Sequence, residues 1–280
     1  MSHSWRILRE GRTRVEGAQM GADMTDLDVK YDVDHRSSAF EDHLRGLLVS
    51  LAGPGTGKTH SLLGRIAALA KRGTPFNTIC YVTFINEIAR AFESDYRGTL
   101  GGTAGAPRIS TLHSFACRVL RNLGHQIGYS GALYFGDMAS SSDIAARVFL
   151  EDLLPGVAQQ GCRTVPQLRK LIEQVEAAWR TQTLPTALPN PIPAILPAAQ
   201  DLLRCYRLVD WDQAISLAES LLRGGGGLPD WIAKIGHYVV DEYQDFNAAE
   251  QALISLMTHG AESVVVVGDD DQSVYSGRSA

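Results

Sequence analysis

The chain has 280 residues, 45% of them hydrophobic and 20% charged, and a formal net charge of −5. These values fit a globular protein of one large or two ordinary domains, and they exclude a chain that is basic along its whole length. A local basic groove for nucleic acid stays compatible with them, because electrostatic fields act locally. No apolar run approaches the ~18 residues of a membrane span, and no two of the four cysteines form a C-x-x-C pair. We therefore expect reduced thiols in a cytoplasmic protein that does not enter a membrane.

The first 124 residues combine a polar leader with alternating strand and helix signals. Residues 1–30 are predicted to be a loose leader, because the N-terminus is polar, charged and without the apolar core of a signal peptide. Strands are predicted at 46–51, 78–83 and 108–111, and a helical pattern follows each of them. This alternation is typical of an α/β fold with parallel strands.

The middle of the chain has a different pattern, in which strand signals disappear and amphipathic helices are predicted. A run of prolines between Pro185 and Pro197 predicts a stiff connector within this part. The predicted helices are marked, in chain order, by a start at Ser142, a cap at Thr164, a course through Leu202, Leu203 and Tyr206, and a last helix from Asp210 to the glycines of 224–227.

Strand signals return near the C-terminus, at 236–240 and 263–267, with a helix predicted over 248–258 between them. The helical block is therefore inserted into the α/β part. We predict one α/β domain formed by 31–124 and 229–280, and a helical subdomain over 125–228.

A glycine-rich segment connects the first predicted strand to the helix predicted over 59–72. It consists of Ala52, Gly53, Pro54, Gly55, Thr56, Gly57, Lys58 and Thr59. Its glycines allow backbone N–H groups to surround an anion, and the helix N-terminus adds partial positive charge. The arrangement is typical of a P-loop, with Lys58 at the β- and γ-phosphates of ATP and the Thr59 hydroxyl on Mg²⁺. A plain glycine turn is the alternative.

Adjacent carboxylates follow the strand predicted at 236–240, at the end where parallel sheets bind ligands. Asp241 suits the Walker B role of holding Mg²⁺, directly or through water. Glu242 suits a general base that orients the attacking water. The alternative is an acidic surface turn, which the P-loop earlier in the chain makes the weaker interpretation.

The strand predicted at 263–267 ends in a similar way, with three aspartates followed by Gln272. An amide such as that of Gln272 can donate to a γ-phosphate oxygen. Three acids would repel a phosphate unless Mg²⁺ intervenes, so the contact is assigned to Gln272. An exposed turn rich in aspartate is the alternative.

Taken together, these residues resemble the UvrD/Rep family of superfamily 1 helicases from about Tyr31 to Ala280. The segment 210–215, Asp-Trp-Asp-Gln-Ala-Ile, also resembles the family's D-F-x-D-L-L signature. The five blocks that match in order are Ala-Gly-Pro-Gly-Thr-Gly-Lys-Thr (52–59), Thr-Phe-Ile-Asn (83–86), Thr-Leu-His-Ser-Phe (111–115), Asp-Glu-Tyr-Gln-Asp (241–245) and Gly-Asp-Asp-Asp-Gln-Ser-Val-Tyr (268–275).

The resemblance implies a RecA-like P-loop ATPase domain with an inserted all-helical subdomain, and ATP-driven 3′→5′ movement on single-stranded DNA. The DNA contacts that it implies are Phe84 and Asn86 along the strand path, Thr111, His113 and Phe115 on backbone or bases, Tyr275 stacked on a base, and Arg278 coupling DNA to ATP. An aromatic ring offers a face that any base can stack on. Phe84 and Phe115 suit core packing equally well.

The sequence departs from the family pattern at three places. His35 stands where the family has an adenine-reading glutamine; its imidazole has one donor and one acceptor and lacks the paired geometry of an amide. Ser276 and Gly277 precede Arg278 where the family has glycine and an aromatic ring. Glu87 replaces a residue that is often basic, which would weaken a phosphate contact.

The sequence given ends at Ala280, before the second RecA-like domain that the family uses to supply arginines to the γ-phosphate. We expect a partial helicase that binds Mg·ATP and hydrolyses it poorly until such a domain completes it in cis or in trans. The alternative is a nucleotide-dependent module that binds single-stranded DNA or a partner without turnover. An unrelated P-loop kinase or ATPase would leave the Gln272 block unexplained.

Overall fold

The computed structural model describes residues 5–9, 30–31, 36–51, 56–100, 105–183, 187–224 and 228–268. These residues form two compact units. The first unit takes the described residues of 1–112, 228–246 and 258–276, and the second takes those of 113–227, 247–257 and 277–280. The domain limits at 30, 124 and 228 remain predictions, because compactness alone does not define a domain.

The first unit contains a seven-stranded sheet in which every pair of neighbouring strands is parallel. Its strands are β1 (Trp5–Arg9), β2 (Lys30–Tyr31), β3 (Gly46–Leu51), β4 (Ile79–Thr83), β5 (Arg108–Thr111), β8 (His237–Val240) and β9 (Ser263–Gly268). Their order across the sheet is β2-β1-β3-β9-β8-β4-β5. The predicted α/β fold with a parallel sheet is confirmed. One difference is β1, which lies in the segment predicted as a loose leader and pairs with β3.

Helices pack on this sheet through apolar side chains spaced three and four residues apart. They are α1 (Arg36–Asp42), α2 (Lys58–Lys71), α3 (Asn86–Leu100) and the short α9 (Asp230–Ala233). Leu62, Ile66 and Leu69 of α2 are at most 1% exposed and join one core with Val239 and Val265 of the central strands. The strand β3 and the helix α2 thus form the strand–loop–helix unit that the sequence predicts.

A charged side chain, Arg65 of α2, lies fully buried in this unit. Its guanidinium donates to the carbonyl oxygens of Phe40, at 2.8 Å, and of His43, at 2.5 Å. It also donates to the Ser263 Oγ at 2.6 Å, at the start of β9. Burial, and then the nearby charge of Arg72, lower the pKa of Arg65 to about 10. One side chain therefore ties α2 to the end of α1 and to the central sheet.

The second unit is mainly helical. Its helices are α4 (Leu112–Leu123, of which Leu112 belongs to the first unit), α5 (Ile144–Val157), α6 (Val165–Arg180), α7 (Ile192–Tyr206), α8 (Trp211–Arg223) and α10 (Ala248–Met257). It also contains two short parallel strands, β6 (Tyr134–Gly136) and β7 (Leu208–Asp210). The prediction of an all-helical subdomain was wrong in this detail, because strands of three residues are too short to show a period. None of the described helices is both long and apolar enough to cross a membrane.

One predicted helix start and one predicted connector in this unit differ from the structure. Asp143, not Ser142, caps α5, since its carboxylate accepts from the backbone N–H groups at the start of that helix. The predicted proline connector ends early, because α7 begins at Ile192 and contains Pro193 and Pro197. A proline in the first turn of a helix loses no hydrogen bond, which is why Pro193 is tolerated there. The predicted cap of α6 by Thr164 is confirmed.

Candidate active site at the ends of the parallel strands

The described part of the glycine-rich segment leads directly into α2. Gly57 has a φ of 84°, a left-handed conformation that a residue with a Cβ adopts at a cost. Its carbonyl oxygen accepts from the Ser61 N–H at 3.0 Å, which closes the first turn of the helix. Lys58 is the first residue of α2, and the exposed Thr59 follows it. Thr56, Gly57 and Thr59 are therefore presented at a helix N-terminus, where an anion is stabilised.

Asp241 extends β8 by one residue and is 7% exposed. Its N–H donates to the Val82 oxygen at 2.9 Å, so the backbone pairing with β4 continues to this point. The Tyr81 hydroxyl donates to its Oδ2 at 2.6 Å, and the N–H of Glu242 donates to its Oδ1 at 3.0 Å. Burial raises the pKa of Asp241, while the hydrogen bond from Tyr81 acts in the opposite direction. The carboxylate is thus fixed in place at the edge of the sheet.

The position of Tyr81 is itself fixed by packing. Its ring stacks on Phe92 of α3, with 3.8 Å between the ring centroids and 7° between the planes. Burial, and then the charge of Asp241, raise the pKa of Tyr81, so its hydroxyl stays protonated and remains a donor. Sequence reasoning did not include Tyr81 in the site, because it lies inside an apolar strand, where aromatic residues are ordinary core residues.

Glu242 connects the two halves of the candidate site. Its Oε1 lies 3.6 Å from the Nζ of Lys58, which brings the start of α2 and the end of β8 together. Its Oε2 accepts from the Gln244 amide at 2.8 Å. Glu242 has a φ of 54°, and a non-glycine residue in that left-handed region is uncommon and is often found at a functional site. The two partners and the backbone together orient its carboxylate.

Gln244 was not predicted as a site residue, although it belongs to the Asp-Glu-Tyr-Gln-Asp block. Its side chain lies against the end of β9: a Cβ placed on Gly268 would be 3.0 Å from the Gln244 Oε1. A residue larger than glycine at 268 would therefore press on the amide that holds Glu242. The sequence feature that could have indicated this contact is the position of Gln244, two residues after Glu242.

The donors at this edge of the sheet fit a magnesium ion. Mg²⁺ prefers oxygen ligands and is usually held in proteins by one or two carboxylates together with phosphate oxygens. Asp241 offers a carboxylate and Thr59 a hydroxyl, and their role as ligands of Mg²⁺ stays a prediction. Asp245, in the turn after Glu242, adds a third acid whose pKa is raised by burial and then by the charge of Glu242. A cation would offset the repulsion between these acids.

The predicted DNA contacts in the first unit differ in exposure. Phe84 is half-buried, with its ring edge-on to the buried Phe246 at 5.8 Å between centroids. Asn86 is exposed at the start of α3. Thr111, the last residue of β5, is only 4% exposed. Asn86 is therefore the most accessible of these three side chains.

The second unit holds the predicted contacts His113 and Phe115. The His113 side chain is 28% exposed, and its Nδ1 lies 3.8 Å from an oxygen of Glu250, which is 2% exposed. Phe115 is 2% exposed. A base could stack on Phe115 only if the ring left its packing, so His113 is the more accessible of the two. The roles of both residues remain predictions.

Eight of the predicted site residues lie outside the part of the chain that the structure describes. They are His35, Ala52, Gly53, Pro54, Gly55, Gln272, Tyr275 and Arg278.

A separate group of acids lies in the second unit. One oxygen from each of Asp137, Glu176 and Asp210 falls within 4.8 Å of the others. Glu176 accepts from the Ala139 N–H at 3.1 Å, and Asp210 accepts from the Met138 N–H at 3.0 Å while capping α8. Burial, and then the charge of Asp210, raise the pKa of Glu176 from its ordinary 4.5 to about 9. We expect a proton on Glu176 to hold this group together at neutral pH.

The proton on Glu176 makes the stability of this unit fall as the pH rises. Between pH 4.5 and about 9 the folded chain keeps a proton on Glu176 that the unfolded chain loses, so stability falls as pH rises through this range. The amide introduced by Glu176→Gln would keep a donor and an acceptor without titrating. At mildly alkaline pH we expect the free energy of unfolding of this variant to exceed that of the wild type by more than about 1.4 kcal/mol, the value of one pKa unit.

The measurement is the urea midpoint at mildly acidic and mildly alkaline pH. Glu173→Gln, an exposed change on the same helix, is the control and should keep the pH dependence of the wild type. If the urea midpoints of Glu176→Gln and the wild type changed equally with pH, the proton on Glu176 would be contradicted.

The sequence can be compared with those of known proteins. The family described as UvrD/REP helicase N-terminal domain matches residues 34–280. The chain is 30% identical over 243 residues to the ATP-dependent DNA helicase PcrA of Leuconostoc citreum, over 84% of this chain and 32% of that protein. It is 27% identical over 239 residues to PcrA of Staphylococcus aureus strain Mu50, over 84% of this chain and 33% of that protein.

A third relative is the ATP-dependent DNA helicase Rep of Escherichia coli K12, with 29% identity over 252 residues, 85% of this chain and 36% of Rep. The chain spans about a third of the length of these relatives. Because the family match extends from residue 34 to residue 280, the chain belongs to the UvrD/REP helicase N-terminal domain family.

Proposed function

We propose that this chain is the ATP-binding N-terminal portion of an ATP-dependent 3′→5′ DNA helicase or translocase that couples ATP hydrolysis to movement on single-stranded DNA. The observation that carries the proposal is the Lys58–Glu242 contact of 3.6 Å beside the buried Asp241. Lys58 and Glu242 are 184 positions apart in the sequence (242 − 58). Their contact brings together the cation and the two carboxylates that phosphoryl transfer to water requires.

The roles of the residues follow from their chemistry. Lys58 binds the β- and γ-phosphates, with the backbone of 52–57 around them, and Thr59 and Asp241 hold Mg²⁺. Glu242 orients the attacking water and accepts its proton. Gln272 contacts the γ-phosphate, and His35 lies in the place of the adenine contact. When bound there, Mg²⁺ would neutralise charge that develops on the phosphate oxygens.

The contact between Lys58 and Glu242 suggests how binding and catalysis are linked. ATP phosphates carry more negative charge than one carboxylate, so they draw Lys58 away from Glu242. The Gln244 amide, 2.8 Å from the other oxygen, then keeps Glu242 oriented. The general base therefore becomes available when the phosphates engage Lys58.

The proposed DNA path uses Phe84, Asn86, Thr111, His113, Phe115, Tyr275 and Arg278. The printed names of the relatives, which are DNA helicases, support DNA as the ligand. A second RecA-like domain, in cis or in trans, is the proposed partner and would supply an arginine to the γ-phosphate. The four cysteines are free thiols, which suits the proposed cytoplasmic location.

The same lysine contact supports a second candidate function, a nucleotide-dependent module that binds single-stranded DNA or a partner without turnover. A carboxylate oxygen that is paired with an ammonium group is not free to orient a water molecule, and the contact with Lys58 holds Glu242 in such a pair. In this alternative Lys58 and Glu242 would remain paired in the nucleotide complex.

The experiment that tests the proposal measures ATP turnover by the 280-residue chain with and without single-stranded DNA, together with nucleotide binding. Turnover that DNA stimulates supports the helicase proposal. ATP binding and DNA binding without turnover favour the binding module. Failure to bind Mg·ATP would contradict both.

A further inference from the structure

We propose that Tyr81 is a positioning residue for Mg²⁺, whose hydroxyl holds the Asp241 carboxylate in the orientation that binds the metal together with the ATP phosphates. The inference deepens the proposed function and rests on it, because Mg·ATP is the ligand that it assumes. It adds that a fully buried residue of the sheet, acting only through Asp241, determines how much Mg²⁺ strengthens nucleotide binding.

The register of the sheet brings the two side chains together. Tyr81 of β4 lies in register with Val239 of β8. Side chains two residues apart on a strand point to the same face, so Asp241 lies on the face of Tyr81, two residues further toward the carboxyl end of the strands. The Tyr81 hydroxyl donates to the Asp241 Oδ2 at 2.6 Å, although the two residues are 160 positions apart in the sequence.

The Asp241 carboxylate is held by a donor on each of its oxygens. Its Oδ2 accepts from Tyr81, and its Oδ1 accepts from the Glu242 N–H at 3.0 Å. An ionised carboxylate has about four lone-pair sites, so both oxygens keep room for a metal or a metal-bound water. Asp241 is 7% exposed, so little water is present to replace a lost donor. The two donors therefore decide in which direction the remaining lone pairs point.

The Tyr81 ring is ordered before any metal binds. It is fully buried and stacks on Phe92 of α3, which is 2% exposed. A hydroxyl on a ring that is fixed by packing needs no rearrangement to orient a ligand carboxylate. Such support by a second layer of side chains is what holds a metal site in its productive geometry.

A second buried tyrosine shows that packing alone does not require such a contact. Tyr238 of β8 is also fully buried, and its hydroxyl has no hydrogen-bond partner among the residues that the structure describes. Its register partner is Cys80, so it lies on the opposite face of the sheet from Tyr81. A tyrosine hydroxyl is therefore tolerated in this sheet without an acceptor, whereas the hydroxyl of Tyr81 is directed at the candidate metal ligand.

The test measures the dissociation constant of a fluorescent ATP analogue with the 280-residue chain, in excess Mg²⁺ and in EDTA. The ratio of the constant in EDTA to that in Mg²⁺ reports how much the metal strengthens binding. We expect Tyr81→Phe to lower this ratio by about 10-fold or more, the usual loss when a metal ligand loses its hydrogen-bond partner. Binding in EDTA should stay near the wild-type value, because Lys58 and the N-terminus of α2 do not depend on this hydroxyl.

Tyr238→Phe is the matched control and should keep the wild-type ratio, because it removes a buried hydroxyl that makes no hydrogen bond. A double variant tests whether Tyr81 acts through Asp241. Asp241→Asn should itself lower the ratio, and adding Tyr81→Phe should lower it no further. If Tyr81→Phe does not fold, Phe92→Leu takes its place: it keeps the hydroxyl but removes the ring that Tyr81 stacks on, and it should also lower the ratio.

The outcomes separate this inference from the proposed function. A ratio for Tyr81→Phe within about twofold of the wild type would overturn the positioning role and leave the proposed ATP site intact. The same holds for an equal loss of binding with and without Mg²⁺, for an equal loss in Tyr238→Phe, for a further loss in the double variant, or for an unchanged ratio in Phe92→Leu where that variant is needed. A wild type that binds no nucleotide in excess Mg²⁺ would overturn the proposed function and this inference with it.

Discussion

Glu242→Gln is expected to lower ATP turnover by about 10²–10⁴-fold, the usual contribution of a general base. Glutamine keeps the size of the side chain and can still accept a hydrogen bond from the Gln244 amide, so the turn after β8 should keep its shape. The amide cannot accept a proton from water, and it loses the ion pair with Lys58. Mg·ATP binding should therefore persist or become slightly tighter, because Lys58 no longer has a competing carboxylate.

The measurement pairs a turnover assay with nucleotide binding on the same preparation. Glu93→Gln, an exposed acid-to-amide change on α3, is the control and should turn over ATP at the wild-type rate. Turnover by Glu242→Gln within about threefold of the wild type would mean that Glu242 is not the base. If the wild type has no turnover, tighter Mg·ATP binding by Glu242→Gln still reports the release of Lys58.

Arg65→Ala is expected to lower the free energy of unfolding of the first unit by about 3 kcal/mol or more. The variant loses three hydrogen bonds from a buried cation and leaves the Phe40 and His43 carbonyl oxygens and the Ser263 hydroxyl without this donor. It also leaves a cavity among the apolar side chains of α2, which adds to the loss. Arg65→Lys should recover only part, because an ammonium lacks the planar fork of a guanidinium.

Urea unfolding followed by circular dichroism measures this effect. Arg72→Ala is the matched control, since Arg72 also donates to the end of α1, to the Glu41 oxygen and to Asp42, but on the surface. Exposed pairs contribute about 1 kcal/mol or less, so the control should unfold near the wild-type midpoint. Equal urea midpoints for the two alanine variants would show that the buried hydrogen bonds of Arg65 stabilise the fold no more than the exposed ones of Arg72 do.

The sequence predicts those parts of the fold whose signal lies within one segment. Apolar runs give β3, β8 and β9, and the glycine loop between β3 and α2 needs no other part of the chain to be recognised. Arg65 shows the limit of this approach. The helical period places it on the buried face with Leu62 and Ile66, whereas its charge argues for exposure. Its burial is explained by acceptors from other segments, which are two carbonyl oxygens and the Ser263 hydroxyl.

The candidate site divides in the same way. Asp241 and Glu242 are predictable, because a strand followed by adjacent acids is a local pattern. The roles of Tyr81 and Gln244 are not, since each depends on a contact made after folding.

The order of strands in the sheet has a consequence for how the protein is made. The strand β9 lies between β3 and β8 and pairs with both, yet it is the last of the described strands in chain order. Until Ser263–Gly268 leaves the ribosome, β3 and β8 each keep an open, apolar edge. The first unit therefore cannot complete its sheet before residue 268 has been synthesised, and its long-range pairings predict slow folding. During that interval the nascent chain exposes unpaired apolar strand edges, which are the kind of surface that chaperones bind.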